Sequence, residues 1–253
     1  MLDLAIVTLA SSFAGFVDAI VGGGGLILVP ALFGVFPGAP PAALLGTNKA
    51  AAVWGTAWAS VQYARRVTLP WHALAPAVAA ALVGGFAGAW AVTQMPSDGL
   101  RRALPFVLSG VLLYTLVRKD LGRVHAPRYG GGAEARAASA AGLVVGFYDG
   151  FFGPGTGSFF VFVFVRWLGY DFLHASASAK LLNTTTNVAA ISLFASQGQV
   201  WWPLAAAMAV GNVAGSLLGT RLALRHGAGF VRTVFIVVVA ALIVKTGWDA
   251  FAR

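Results

Sequence analysis

Gly15-Phe-Val-Asp-Ala-Ile-Val-Gly-Gly-Gly-Gly25 and Gly146-Phe-Tyr-Asp-Gly-Phe-Phe-Gly-Pro-Gly-Thr-Gly157 decide how this chain reads. Each sets an aspartate and then a glycine run inside an otherwise apolar stretch. Gly15 aligns with Gly146, Phe16 with Phe147, Asp18 with Asp149, Gly22 with Gly153 and Gly24 with Gly155, always at an offset of 131. The same offset joins Lys49 to Lys180, Trp71 to Trp202, Gly84 to Gly215, Gly88 to Gly219 and Arg101 to Arg232. An ungapped match of this kind reads as a duplication: a first membrane repeat over 1–122, a cytoplasmic linker over 123–136 and a second membrane repeat over 137–253.

The composition says what surrounds the repeats. Of 253 residues, 58% are hydrophobic and 10% charged, and the mean hydropathy is +0.81. Soluble domains carry about 25% charged residues, so this chain cannot coat a globule and lipid is its natural solvent. The net charge of +9 sits in short clusters between apolar runs. That pattern suits cytoplasmic loops beside anionic lipid, not nucleic acid. The absence of cysteine excludes disulfides, thiolate catalysis and cysteine-held metals. His72, His125, His174 and His226 show no ligand spacing, so neither metal nor cofactor is expected. No Ser/His/Asp or His/Glu-rich constellation points to an enzyme. Met1-Leu-Asp3 lacks a basic region, so the N-terminus reads as a first membrane segment and not a secretory signal.

The expected fold is an all-α polytopic membrane protein of two homologous halves. Each half has about four spans, the first broken at its glycine run, which makes five helical segments. In the first half the segments fall near 2–21, 26–36, 42–64, 71–92 and 103–117. In the second they fall near 137–152, 158–167, 172–196, 201–222 and 230–248. Gly84-x-x-x-Gly88 reads as a close helix-packing face. Two topologies compete. If each glycine run lies inside one crossing, the halves are parallel, and nine basic residues lie on the linker side against six opposite. If the chain reverses at each run, the halves are inverted and the split is eleven against four. The positive-inside rule favours the inverted arrangement.

Irregular backbone survives at membrane depth only where it is buried in protein or lines a wet cavity. Gly22, Gly23, Gly24 and Gly25 in one half, and Gly153, Gly155, Thr156 and Gly157 in the other, are therefore candidate binding residues. Helices restarting at Leu26 and Ser158 would offer free N–H groups and positive dipole ends to an anion. Helix packing or a kink is the plainer alternative for a single glycine. Lys49 and Lys180 are two of four lysines and occupy equivalent apolar positions. They either snorkel, attract an anion, or pair with Asp18 and Asp149. Those two acids are set within long apolar segments, where an acid is either ionised against a lysine or able to carry a proton. Asn48, Asn183, Thr184 and Asn187 add hydrogen-bonding groups, which equally serve helix–helix contacts. Trp71, Trp201 and Trp202 read as interface anchors.

These residues resemble the TauE/SafE sulfite-exporter family of membrane permeases across nearly the whole chain. The carriers are Gly15-Phe-Val-Asp18 with the glycine run and Pro30, Thr47-Asn48-Lys49, and Gly146-Phe-Tyr-Asp-Gly-Phe-Phe-Gly-Pro-Gly155 with Gly157-Ser158. Ala179-Lys180-Leu-Leu-Asn183, Asn187 and Gly198-x-Val-x-Trp202 complete the set. The resemblance implies a duplicated four-span unit in a prokaryotic plasma (inner) membrane that moves sulfite, sulfoacetate or related sulfur-containing anions, driven by an ion gradient. The expected function is secondary transport of a small anion by alternating access, with an anion channel as the alternative. Protons or Na+ are the candidate coupling ions, and a homo-oligomer stays open.

Overall fold

The computed structural model describes residues 2–94 and 124–251. Among them every regular element is helical: α1 (Leu2–Val21), α2 (Gly25–Val35), α3 (Pro41–Ala64), α4 (Trp71–Val92), α5 (Gly131–Phe151), α6 (Thr156–Val163), α7 (Phe172–Ser196) and α8 (Trp202–Phe251). A π-helical turn, Phe164–Leu168, continues α6. The segment expected at 103–117 lies outside the described residues. α5 begins at Gly131, ahead of the expected start, because Glu134 in its first turn is buried and bonded to Tyr170 and His72. The connector expected at 223–229 narrows to Gly227 (φ 71°, ψ −164°), a bend inside α8 that glycine alone takes without strain.

Leu2–Val21, Trp71–Val92 and Trp202–Val238 are long and apolar enough to cross a membrane. α3 and α7 have the length but are more polar, and their placement explains this. Residues 46–51 of α3 and 175–180 of α7 are all buried, so these stretches are enclosed on every side. Their polar groups meet protein, not hydrocarbon. Apolar side chains instead cover the outside: Leu9, Phe13, Val83, Val144, Val210 and Leu218 are exposed. A surface of this kind seeks lipid. Trp71 and Trp202, expected at the interfaces, are exposed at the starts of α4 and α8, and Trp90 is exposed near the end of α4. Trp201 is half-buried, its ring edge-on to Phe36.

The halves pack by exchange. α1 lies chiefly on α8, and α4 on α5. A Cβ on Gly84 would sit 2.2 Å from the Leu143 carbonyl oxygen, and one on Gly88 1.9 Å from that of Phe147. Gly215 and Gly219 stand in the same relation to Ser12 and Phe16, at 1.8 and 2.4 Å. Every residue in the second pair of contacts is the repeat equivalent of one in the first. The expected Gly-x-x-x-Gly face is therefore a backbone-to-backbone seam, and it occurs twice. The two seams are thus built from residues at matching positions. Gly211, Gly215 and Gly219 meet Thr8, Ser12 and Phe16 in ascending order, so α1 and the first part of α8 run in the same direction. α4 and α5 likewise run together.

The chain turns back at each glycine run. Tyr170, just past the α6 extension, donates its hydroxyl proton to Glu134 in the first turn of α5. Phe36, at the end of α2, lies against Trp201 beside the start of α8, which is the end where α1 begins. Neither α2 nor α6 continues the helix that precedes it.

The segment ahead of α5 is docked. Ala126 N–H donates to the Gly169 carbonyl at 3.0 Å and Arg128 N–H to that of Leu168 at 2.9 Å. Asp171 caps α7, its Oδ1 accepting the His174 N–H at 2.8 Å. Burial pushes the Asp171 carboxyl up, but hydrogen bonds from the His174 ring and backbone outweigh it and hold the group below the usual carboxylate range.

Candidate functional site

The two breaks meet each other. A Cβ on Gly22 (φ 78°) would fall 2.2 Å from the Gly157 carbonyl carbon, and one on Gly157 2.5 Å from the Gly22 Cα. Only paired glycines permit that approach. Ser158 Oγ donates to the Gly22 carbonyl at 2.9 Å and closes the junction. Gly25 packs toward Pro154 on the other side of the junction.

Around it stand two ion pairs that cross between halves. Lys49 Nζ lies 2.6 Å from Asp149 Oδ1, and Lys180 Nζ lies 2.9 Å from Asp18 Oδ2. Asp18 is the repeat equivalent of Asp149, and Lys49 of Lys180, so the second bridge is the first with its halves exchanged. Each cation is neutralised in place. Of the roles open to the lysines, the structure takes pairing with the aspartates.

The pairs differ in what else they hold. Asp18 Oδ1 accepts the Gly24 N–H at 3.3 Å, at the start of α2. Asp149 has no such second bond: its Oδ2 is buried without a hydrogen-bond partner, and so is Asn48 Oδ1. The Leu26 amide, expected to be free for an anion, donates to the Gly23 carbonyl at 2.9 Å instead. Helix α2 restarts one residue early and its first turn satisfies that donor. α6 restarts at Thr156, whose amide donates to Gly153 at 3.2 Å, so Ser158 lies inside the helix.

A small cavity, partly open to the outside, adjoins the junction. Gly23, Gly24, Gly25, Asn48, Lys49, Gly153, Gly155, Thr156, Gly157, Asn183 and Asn187 line it, together with Asp18 and Asp149. Gly22, Lys180 and Thr184 do not. Gly22 is spent on the junction. Lys180 is fully buried against Asp18. Thr184 Oγ1 donates to the Lys180 carbonyl at 2.8 Å and lies 3.1 Å from Ser60 Oγ. Thr56 and Asn212 line the cavity and were missed by sequence reasoning. Thr56 is the repeat equivalent of Asn187, and the two touch: Asn187 Nδ2 is 3.5 Å from Thr56 Oγ1. The two positions are 131 residues apart, and that offset could have flagged the pair. Asn212 had no signal, because its repeat equivalent is Ala81. It donates from Nδ2 to the Ser11 carbonyl at 3.1 Å.

The cavity thus presents one lysine, four asparagines and two threonines among bare backbone, with the aspartates as counter-charges. Such walls offer both donors and acceptors to a small polar ion.

Comparison with known proteins gives the same class. The family model described as "Sulfite exporter TauE/SafE" matches residues 7–246. The chain is similar to the "Probable membrane transporter protein YfcA" of Escherichia coli (strain K12), 37% identical over 252 residues, covering 99% of this chain and 91% of the relative. It is 36% identical over 242 residues to the "Probable membrane transporter protein ORF9" of Sinorhizobium sp, covering 96% and 91%. A "Probable membrane transporter protein" of Haemophilus influenzae is 33% identical over 256 residues, covering 98% and 97%. No solved structure matches the chain.

Proposed function

This chain belongs to the TauE/SafE sulfite-exporter family, and on that premise we propose that it is a secondary transporter of small anions. The cargo class is a sulfur oxyanion or organosulfonate such as sulfite or sulfoacetate, moved by alternating access across a prokaryotic plasma (inner) membrane. One observation carries the reading: two chain breaks abut beside ion pairs that exchange halves, and a cavity opens at that junction.

Lys49 and Asp149 line the cavity, whereas the other pair contributes only its acid, Asp18. A proton added to Asp149 discharges the carboxylate and leaves the Lys49 charge for an anion. Asn48, Asn183, Asn187 and Asn212 then hydrogen-bond the oxyanion with their amides. Proton and anion load together in this scheme, because either alone leaves a buried net charge. Lys180 and Asp18 hold the fold. This division of labour departs from the symmetric sequence motif.

The halves, 1–122 and 137–253 with the linker 123–136 between them, serve as inverted repeats. The turn-back at both glycine runs supports this, since five segments per half reverse the second half. Substrate sites of inverted-repeat transporters form where broken helices from both repeats meet, and one repeat rocks against the other. Arg65, Arg66, Arg128, Arg136, Arg166, Arg221 and Arg225 fall toward the end that carries the linker, which makes that end cytoplasmic.

Proteoliposomes given radiolabelled sulfite, with and without a pH gradient, test the reading. Uptake should saturate, respond to the gradient and fall at least tenfold in Lys49→Ala. Absence of wild-type uptake, or full activity in Lys49→Ala with Lys180→Ala, would refute it. Non-saturable conduction would make the protein a channel.

A further inference from the structure

Three of the four histidines gather at the linker end of the molecule, although nothing in their spacing along the chain marks them. His72 is taken up by Glu134, at 3.0 Å between Nε2 and Oε2. The other two flank Asp171. His174 Nδ1 lies 2.7 Å from Asp171 Oδ2, and His125 Nδ1 3.9 Å from the same oxygen. The two imidazoles stack with centroids 4.0 Å apart. One donor atom from each of His125, Asp171 and His174 lies within 4.8 Å of the others.

The fold builds this cluster from three directions. Asp171 is oriented by its capping bond, which occupies Oδ1 and leaves Oδ2 facing the rings. His174 sits in the first turn of α7. His125 is delivered by the docked segment, whose Ala126 and Arg128 amides bond Gly169 and Leu168. Gly169 (φ 81°) is required there, since a Cβ would fall 2.2 Å from the Ala126 carbonyl oxygen. Glu134 stays outside, its oxygens bonded to Tyr170 and His72.

We propose that His125, Asp171 and His174 form a site for a divalent transition-metal ion of the Zn2+ type, which fastens the segment ahead of α5 to the turn ahead of α7. Two imidazole nitrogens and a carboxylate oxygen are a donor set that Zn2+ favours, with a fourth position left for water. Ligands around a tetrahedral zinc at about 2.0–2.1 Å stand about 3.3 Å apart. The two nitrogen-to-oxygen distances, 2.7 and 3.9 Å, bracket that separation, and all three donor atoms lie within 4.8 Å of one another, so shifts of up to about 1.5 Å bring them onto one ion. The ion takes the place of the direct contact between His174 Nδ1 and Asp171 Oδ2. The site stands apart from the transport cavity and does not depend on the cargo assigned to it.

The test uses the full chain, purified without a histidine tag in detergent and stripped with chelator. Titration with Co2+ alone should give a visible d–d absorption band that saturates at one equivalent and disappears when Zn2+ is added. Zn2+ should also raise the unfolding temperature. His125→Phe keeps the stacked ring and removes a ligand, and Asp171→Asn keeps the helix cap and removes the charge. Each should weaken binding at least tenfold. His226→Ala, on an exposed histidine of α8, should bind as the wild type does. Wild-type protein that takes up no stoichiometric Co2+ or Zn2+ overturns the proposal whatever the variants do. Undiminished binding in both His125→Phe and His174→Phe overturns it equally.

Discussion

Lys49 and Asp149 are each almost fully buried, so each charge depends on the other. Removing one partner of a buried pair leaves an uncompensated charge and costs about 3–5 kcal/mol, whereas removing both costs far less. Lys49→Ala and Asp149→Ala should each lower the unfolding midpoint in detergent sharply, and the double variant should recover most of the loss. Additive losses would mean that the pair is not coupled. The same cycle on Lys180 and Asp18 should show coupling of similar sign. Lys49→Ala, unlike Lys180→Ala, should also abolish gradient-driven uptake at expression levels matched to a folded control. Both acids and both lysines stood out in the sequence, because charge inside an apolar run is conspicuous. That each lysine pairs with the acid of the other half did not. Pairing depends on side chains that approach only after the halves interlock.

At the scale of elements, the seams between α1 and α8 and between α4 and α5 are set by glycines whose missing Cβ lets backbones touch. Gly88→Ala and Gly219→Ala should each destabilise by about 1–3 kcal/mol, because the atom that must yield is a carbonyl oxygen of a neighbouring helix. Gly34→Ala is the control: it lies in α2 with open space where its Cβ would go, and should be neutral or slightly stabilising. Thermal melts of the three purified variants check this, and an equal loss at all three would contradict it. The packing role of Gly84 and Gly88 was legible from their spacing on one helix. Their partners were not, since nothing local says that a helix of one half lies on the opening helix of the other. Helix ends moved for local reasons. The buried Glu134 drew α5 back to Gly131, and the first turn of α2 consumed the Leu26 amide that reads as free in the sequence.

At the scale of the molecule, inverted and parallel repeats put the loop after α7 on opposite faces of the membrane. The chain has no cysteine, so single cysteines report position cleanly. In cells, Gln197→Cys should react with an impermeant maleimide from outside, and Thr68→Cys only after permeabilisation. Both positions are exposed. Labelling of both from the same side would reject the reversal of the second half.

What the sequence determined by itself was the lipid setting, the 131-residue offset between its two motifs and the residues that break the apolar pattern. These are local quantities: composition, offset and the charge of single side chains. What only the tertiary structure decided was which copies meet. The abutment of Gly22 on Gly157, the exchanged ion pairs, the contact of Thr56 with Asn187 and the histidine cluster all join residues far apart in the chain. Such contacts follow from how helices distant in sequence pack together in three dimensions, and a one-dimensional pattern carries no record of that packing.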